Sequence, residues 1–208
     1  LEQLKAFKYH KRVEGVVDPE YSFDVKLSSK SEAACLNSHI KAMKQSLDDD
    51  MYDFAIICED DIYFRDVQLF YERIFYYIRT APKDWDILQL FNINLSLMNS
   101  NVKEADLLSW SKWKSSNYST MIYIVRKSAI KTILYKFNKS NFKKQRSIAD
   151  DFIYRYVKTY SIKLPYFLEN TEFDSEIHMD HIPMHIQYNE CIKTHHSKIN
   201  LKYPFFTI

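Results

Sequence analysis

Apolar residues recur at three- and four-residue spacing through Ala33, Leu36, Ile40, Met43 and Leu47, the period of one helix face. Just ahead of them, Ser29-Lys30-Ser31-Glu32 has capping-box spacing, so a helix is expected to open there. It is expected to end at the acidic Asp48-Asp49-Asp50. Asp53 then introduces an unbroken apolar run, Phe54 to Cys58, which reads as a buried strand. That run passes directly into Glu59-Asp60-Asp61. A second helix is expected from about Asp66 to Arg79, stopped by Pro82, and a strand from Trp85 to Phe91. Residues 92–117 are polar and irregular. Tyr118 to Val125 reads as a strand, and Ser128 caps a helix to about Phe137. Ser147-Ile-Ala-Asp150 resembles another capping box, opening a helix through Tyr160. Ile162 to Phe167 reads as a short strand that Pro165 confines to an edge or terminus. Leu1 to about Val13 reads as a basic helical segment. Helix and strand alternate without a linker, repeat or low-complexity tract, so 1–208 is expected to form a single α/β layered domain.

Composition narrows the function classes. Of 208 residues, 46% are hydrophobic and 27% charged, an ordinary globular balance with enough apolar side chain for a core. Lys+Arg is 29 against Asp+Glu 27, a net +2, too weak a field to call for nucleic acid or a membrane surface. No apolar run approaches the ~20 residues of a transmembrane helix, and no signal peptide is legible at Leu1. Cys35, Cys58 and Cys191 are odd in number and widely spaced, so they read as reduced core thiols rather than a disulfide framework or zinc site. Gly15 is the single glycine, which excludes any glycine-rich phosphate loop. Heavy use of Lys, Asn, Ile, Tyr and Phe fits AT-rich coding. A soluble domain is expected, with a giant virus or a low-GC bacterial cytoplasm as settings and the location otherwise open.

The sharpest chemical feature is the apolar strand ending in three acids. Adjacent carboxylates beside a buried strand repel one another and are costly to desolvate. A hard divalent cation, Mn²⁺ or Mg²⁺, would offset that cost, and α/β sheets bind ligands at the carboxyl ends of their strands. The plainer reading is a solvated turn. His39 lies near the apolar face of its helix, where a histidine is either a satisfied core residue or a donor contact. Asp150-Asp151 forms a second acidic pair, and acids in a first helical turn also complement the helix dipole. Trp110 and Trp113 are either sugar-stacking loop aromatics or buried packing. His181 and His185 have i, i+4 spacing, but Pro183 between them argues against a helical zinc pair.

"SEAACLNSHIKAMK" followed by "FAIICEDDIYF" resembles the pattern of glycosyltransferase family 25, which includes lipopolysaccharide and collagen hydroxylysine galactosyltransferases. Downstream, "WDILQL", "YSTMIYIVRKSAIKTIL" and "SIADDFI" fall in the family's order, so the resemblance covers about Lys26 to Ser175. It implies a GT-A-like fold and an inverting, metal-dependent transfer of a hexose, galactose or glucose, from a UDP-sugar to a hydroxyl acceptor. The acceptor would be a glycan or a hydroxylated, collagen-like protein. Glu59 and Asp61 would hold Mn²⁺, Asp60 and His39 would contact the donor, and Asp150 or Asp151 would deprotonate the acceptor. "THHSKINLK" resembles the late metal histidine and diphosphate lysine of many GT-A enzymes, with His195 or His196 as ligand, Lys198 for phosphate charge and His178 in reserve. The family's opening strand is not found: Leu1 reads as already inside the helix that follows it. Two other classes remain open: a metal-dependent phosphohydrolase or nuclease using the same acids, and a non-catalytic binding module on a transferase fold.

Overall fold

The computed structural model describes residues 11–48, 51–63, 70–94, 109–169 and 182–200. Among them are helices α1 (Lys30–Ser46), α2 (Phe70–Thr80), α3 (Lys127–Lys139), α4 (Ala149–Arg155) and α5 (Ile182–Asn200). The strands are β1 (Phe54–Cys58), β2 (Ile62–Tyr63), β3 (Ile87–Gln89), β4 (Trp110–Lys112), β5 (Ile122–Arg126), β6 (Thr159–Ile162) and β7 (Leu168–Glu169). Five strands form one mixed sheet in the order β1-β5-β3-β6-β4, and β2 pairs with β7 apart from it. β5 runs antiparallel to both its neighbours, so β1 and β3 are parallel to each other. β6 is parallel to β3, and β4 closes the edge antiparallel to β6. The α/β layered architecture expected from the alternation of elements is the one observed.

β5 explains the layering. Successive side chains of a strand face opposite sides of the sheet. Ile122 and Ile124 pack into one core with Leu88, Ile162, Phe70, Ile74 and Tyr77, and with Tyr188 and Ile192 of α5. Tyr123 and Val125 pack into the other with Ile57, Ile87 and the apolar faces of α1, α3 and α4. Both faces are therefore covered, and Ile122 through Val125 are fully buried, as the uninterrupted apolar run requires. No helix among the described residues is long and apolar enough to cross a membrane.

α1 forms as its sequence directs. Ser29 Oγ accepts from Glu32 N at 3.1 Å, and Glu32 Oε2 accepts from Ser29 N at 2.6 Å, completing the capping box. Ala33, Leu36, Ile40 and Met43 are buried on one face.

Several expectations are corrected. The Ser147–Asp150 capping box does not form. Ile148 is the N-cap of α4 and makes no side-chain cap bond, while Ser147 is buried and donates its N–H to Ser28 Oγ at 2.7 Å. The helix stops at Arg155 rather than Tyr160, because Thr159–Ile162 pairs with β3 as β6. The strand expected at 162–167 is thereby replaced by β6 before it and β7 after it. Of the stretch 92–117, residues 95–108 lie outside the described residues; in the remainder Trp110–Lys112 is a strand and Ile93 bridges Tyr118. Pro183 does not break a helix but lies in the first turn of α5, where a missing N–H costs nothing. The segment 11–13 is not helical; 1–10, the residues Asp49 and Asp50, and the start of the second helix at 66–69 lie outside the described residues.

Candidate functional site

The chemistry gathers at the end of the sheet where β1 and β3 finish and the antiparallel β5 begins. Glu59 follows the last residue of β1 and donates its N–H to Met121 O at 2.9 Å, which pins the strand end beside residues 119–121. Across from it lies α1, which presents Cys35 and His39 one turn apart. His39 is buried, with Nε2 2.9 Å from Glu59 Oε1 and Nδ1 3.1 Å from Tyr123 Oη. Thr120 Oγ1 donates to the same Glu59 Oε1 at 2.6 Å. Burial alone would raise the Glu59 carboxyl, but the His39 hydrogen bond and charge, with Thr120, hold it below its ordinary value.

Residue 119 is the hinge of the arrangement. Ser119 has φ 94°, a left-handed conformation rare for a residue with a Cβ. That geometry is held from several sides. Gln89 Nε2 donates to the carbonyls of Asn117, Tyr118 and Ser119 at 3.0, 3.2 and 2.8 Å. Tyr154 Oη donates to Ser119 O at 3.2 Å, and Ser119 Oγ accepts from Met121 N at 3.1 Å. With the turn so placed, Ser119 N–H donates to Asp150 Oδ2 at 3.1 Å while Thr120, one residue on, reaches Glu59. Two acids that lie far apart in the chain are thus tied to neighbouring residues of one strained turn.

Asp150 and Asp151 part company here. Asp150 turns inward, with Oδ1 also accepting from Asp151 N at 2.6 Å. Burial pushes its carboxyl above the ordinary value, the two backbone N–H bonds oppose that, and the charges of Asp151 and Glu59 add to it. Asp151 instead pairs with Arg155, one turn along α4. Asp60 is exposed and Asp61 half-buried, both on the turn between β1 and β2.

The charges on Cys35 connect these groups. Its thiol is pushed well above the ordinary value by burial first, then by Glu59 and Asp150, with Thr120 acting the other way and Asp61 adding again. All three acids are therefore close enough to act on one thiol. Among the described residues, the metal-capable atoms of Cys35, His39 and Glu59 lie within 4.8 Å of one another, the one such group of three or more.

The late histidines do not join them. His196 is buried against the opposite core, with Nε2 donating to Pro165 O at 2.8 Å and its ring stacked on Tyr166. The backbone thus holds Nε2 of His196, and no group of three or more metal-capable side chains among the described residues includes His195 or His196. His195 is half-buried on α5, and Lys198 falls in the same helix, its side chain outside those described. His178 and His181 lie outside the described residues. Trp110 packs edge-to-face on Tyr77 and donates to Thr80 Oγ1 at 3.3 Å; Trp113 packs on Tyr154 and donates to Asn117 O at 3.1 Å. Both tryptophans are packing groups, half-buried in the fold. The three cysteines are free of disulfides, as expected.

Sequence reasoning missed Cys35, Ser119 and Thr120. The i, i+4 spacing of Cys35 and His39 on α1 was a usable signal for the first. Nothing local marks the other two, which matter because of where β5 inserts. No family model matches the chain, and no curated protein matches it either.

Proposed function

We propose that this chain is a metal-dependent glycosyltransferase that moves a hexose, galactose or glucose, from a UDP-sugar to a hydroxyl of a glycan or hydroxylated protein. The observation that carries the reading is the joining of Glu59 and Asp150 through Ser119 and Thr120 at the carboxyl end of β1. A transfer of this kind needs a charge-neutralising acid cluster and, within reach of it, a base. The donor set of the 59–61 turn is carboxylate oxygen, which suits a hard divalent ion such as Mn²⁺ or Mg²⁺. Asp61 with Glu59 would hold it, Asp60 would meet the nucleotide sugar, and the ion would neutralise the leaving diphosphate.

Asp150 is the better base of its pair. A raised carboxyl pKa brings a base closer to neutral pH, where it is both ionised and willing to take a proton. Asp151 is neutralised by Arg155. In the reaction, Asp150 takes the acceptor hydroxyl proton. The acceptor oxygen bonds to the sugar C1 from the face opposite the diphosphate, and the C1–O bond to phosphate breaks, inverting the centre and releasing UDP. His39 supports this indirectly by fixing Glu59.

The test is a thermal-shift screen of UDP-galactose and UDP-glucose with and without Mn²⁺, since a ligand held only by the folded state raises the melting temperature. Metal-dependent stabilisation is expected, with loss in Asp61→Asn. In transfer assays on hydroxylated peptide or glycan acceptors, Asp150→Asn is expected to lose about 10²–10⁴-fold in rate, and Asp151→Asn far less. Nucleotide binding in neither condition would favour a non-catalytic module, and hydrolysis of generic phosphodiesters would favour a phosphohydrolase.

A further inference from the structure

We propose that Cys35, His39 and Glu59 form a three-ligand pocket for a borderline-soft divalent ion, zinc being the type, which shares Glu59 with the hard-ion turn but is completed by sulfur and nitrogen rather than by Asp61. The inference does not rest on sugar transfer; it rests on a mixed sulfur, nitrogen and oxygen donor set already drawn together.

The three donor atoms lie within 4.8 Å of one another. Zinc bonds of about 2.0–2.3 Å at tetrahedral angles put donors about 3.3–3.7 Å apart, so the 2.9 Å His39–Glu59 contact must open by about half an ångström and the Cys35 thiol must close by at most about 1 Å, a shift its side-chain rotation can supply. Three protein ligands leave a fourth position for water or a substrate atom, the arrangement of catalytic rather than structural zinc.

The surroundings also match what a metal site needs. A ligating histidine holds its other ring nitrogen on a partner that sets the tautomer. Here Nδ1 faces Tyr123 Oη at 3.1 Å, so a proton on Nδ1 leaves the Nε2 lone pair for the ion. A ligating carboxylate is itself hydrogen-bonded, and Thr120 supplies that bond to Glu59. α1 fixes the first two ligands rigidly, because Cys35 and His39 are one turn apart on a helix anchored by its capping box and a fully buried Leu36 and Ile40.

Charge points the same way. The charges that act on the Cys35 thiol, from Glu59, Asp150 and Asp61, are all negative. Carboxylates gathered beside the three donors draw in a cation. Binding displaces the Cys35 thiol proton and the proton that His39 Nε2 donates to Glu59, and both leave to solvent. Hard Mn²⁺ has little use for the sulfur, whereas zinc and cobalt do.

The experiment uses the full chain, without nucleotide, titrated with Co²⁺ as a coloured probe for zinc. One equivalent is expected to bind with a thiolate-to-cobalt charge-transfer band and the intense visible absorption of a tetrahedral site, both removed by added zinc. Cys35→Ser is expected to abolish the charge-transfer band, and His39→Gln or Glu59→Gln to weaken binding at least tenfold. Cys58→Ser is the control, because Cys58 packs into the opposite core and its variant should keep the band. Circular dichroism verifies that each variant is folded; an unfolded Cys35→Ser would be replaced by Cys35→Ala for the same reading. Absence of a band in the parent, its persistence in the folded Cys35 variant, or its loss in Cys58→Ser would overturn the proposal. Glu59 belongs to both readings, so they are separated by Cys35→Ser, which is expected to keep Mn²⁺-dependent UDP binding, and by Asp61→Asn, which is expected to keep the cobalt band.

Discussion

Ser119 carries more of the site than its chemistry suggests. A left-handed backbone at a residue with a Cβ costs roughly 1–2 kcal/mol and persists only where the surroundings over-determine it. Gln89, fully buried, is the main restraint: it donates to three successive carbonyls and accepts from Ser161 Oγ at 2.5 Å. Each of those carbonyls keeps one other donor, from Trp113, Ile93 and Tyr154 in turn. Gln89→Leu is therefore expected to cost a moderate amount, about 1–3 kcal/mol by denaturant midpoint. A loss near zero would mean the turn holds itself. Asp150 supplies a second check. Its raised carboxyl keeps a proton in the native state that the unfolded chain has lost. The stability tied to this group is thus full below the unfolded value and is lost as pH rises through the folded one. The melting-temperature difference between Asp150→Asn and the parent should accordingly shift in the variant's favour as pH rises above about 4. A difference that stays flat with pH would refute the raised carboxyl.

At the scale of elements, α1 was the most legible. Its cap, apolar stripe and length all follow from local rules, and all three are realised. Ser29→Ala removes the side-chain half of the capping box and is expected to cost about 1 kcal/mol in thermal or denaturant unfolding; a silent substitution would show that packing alone holds the helix start. The strand ending in acids was equally legible, since a short apolar run cut off by three carboxylates has few other readings. α4 and β6 were not. The run from Ala149 reads as one helix to Tyr160 because nothing local forbids it. Thr159–Ile162 became a strand because a parallel place beside β3 was open, and the β-branched and aromatic residues fit it. The same contest removed the second capping box: Ser147 found Ser28 across the fold, and Asp150 found Ser119.

At the scale of the molecule, the α/β layering, one core on each face of the sheet and the acid-tipped β1 were determined by the order and polarity of residues along the chain. Those features come from short-range periodicity, which any segment carries with it. The sheet order was decided only by the tertiary structure. β5 could pair with several strands, and the choice to insert it between β1 and β3 depends on how both of its faces bury at once. That choice sets Ser119 and Thr120 against Glu59 and Asp150, and α1 then brings Cys35 and His39 to the same point. Chain-distant contacts of this kind gain their free energy only after the loops between them have closed, so no local pattern announces them.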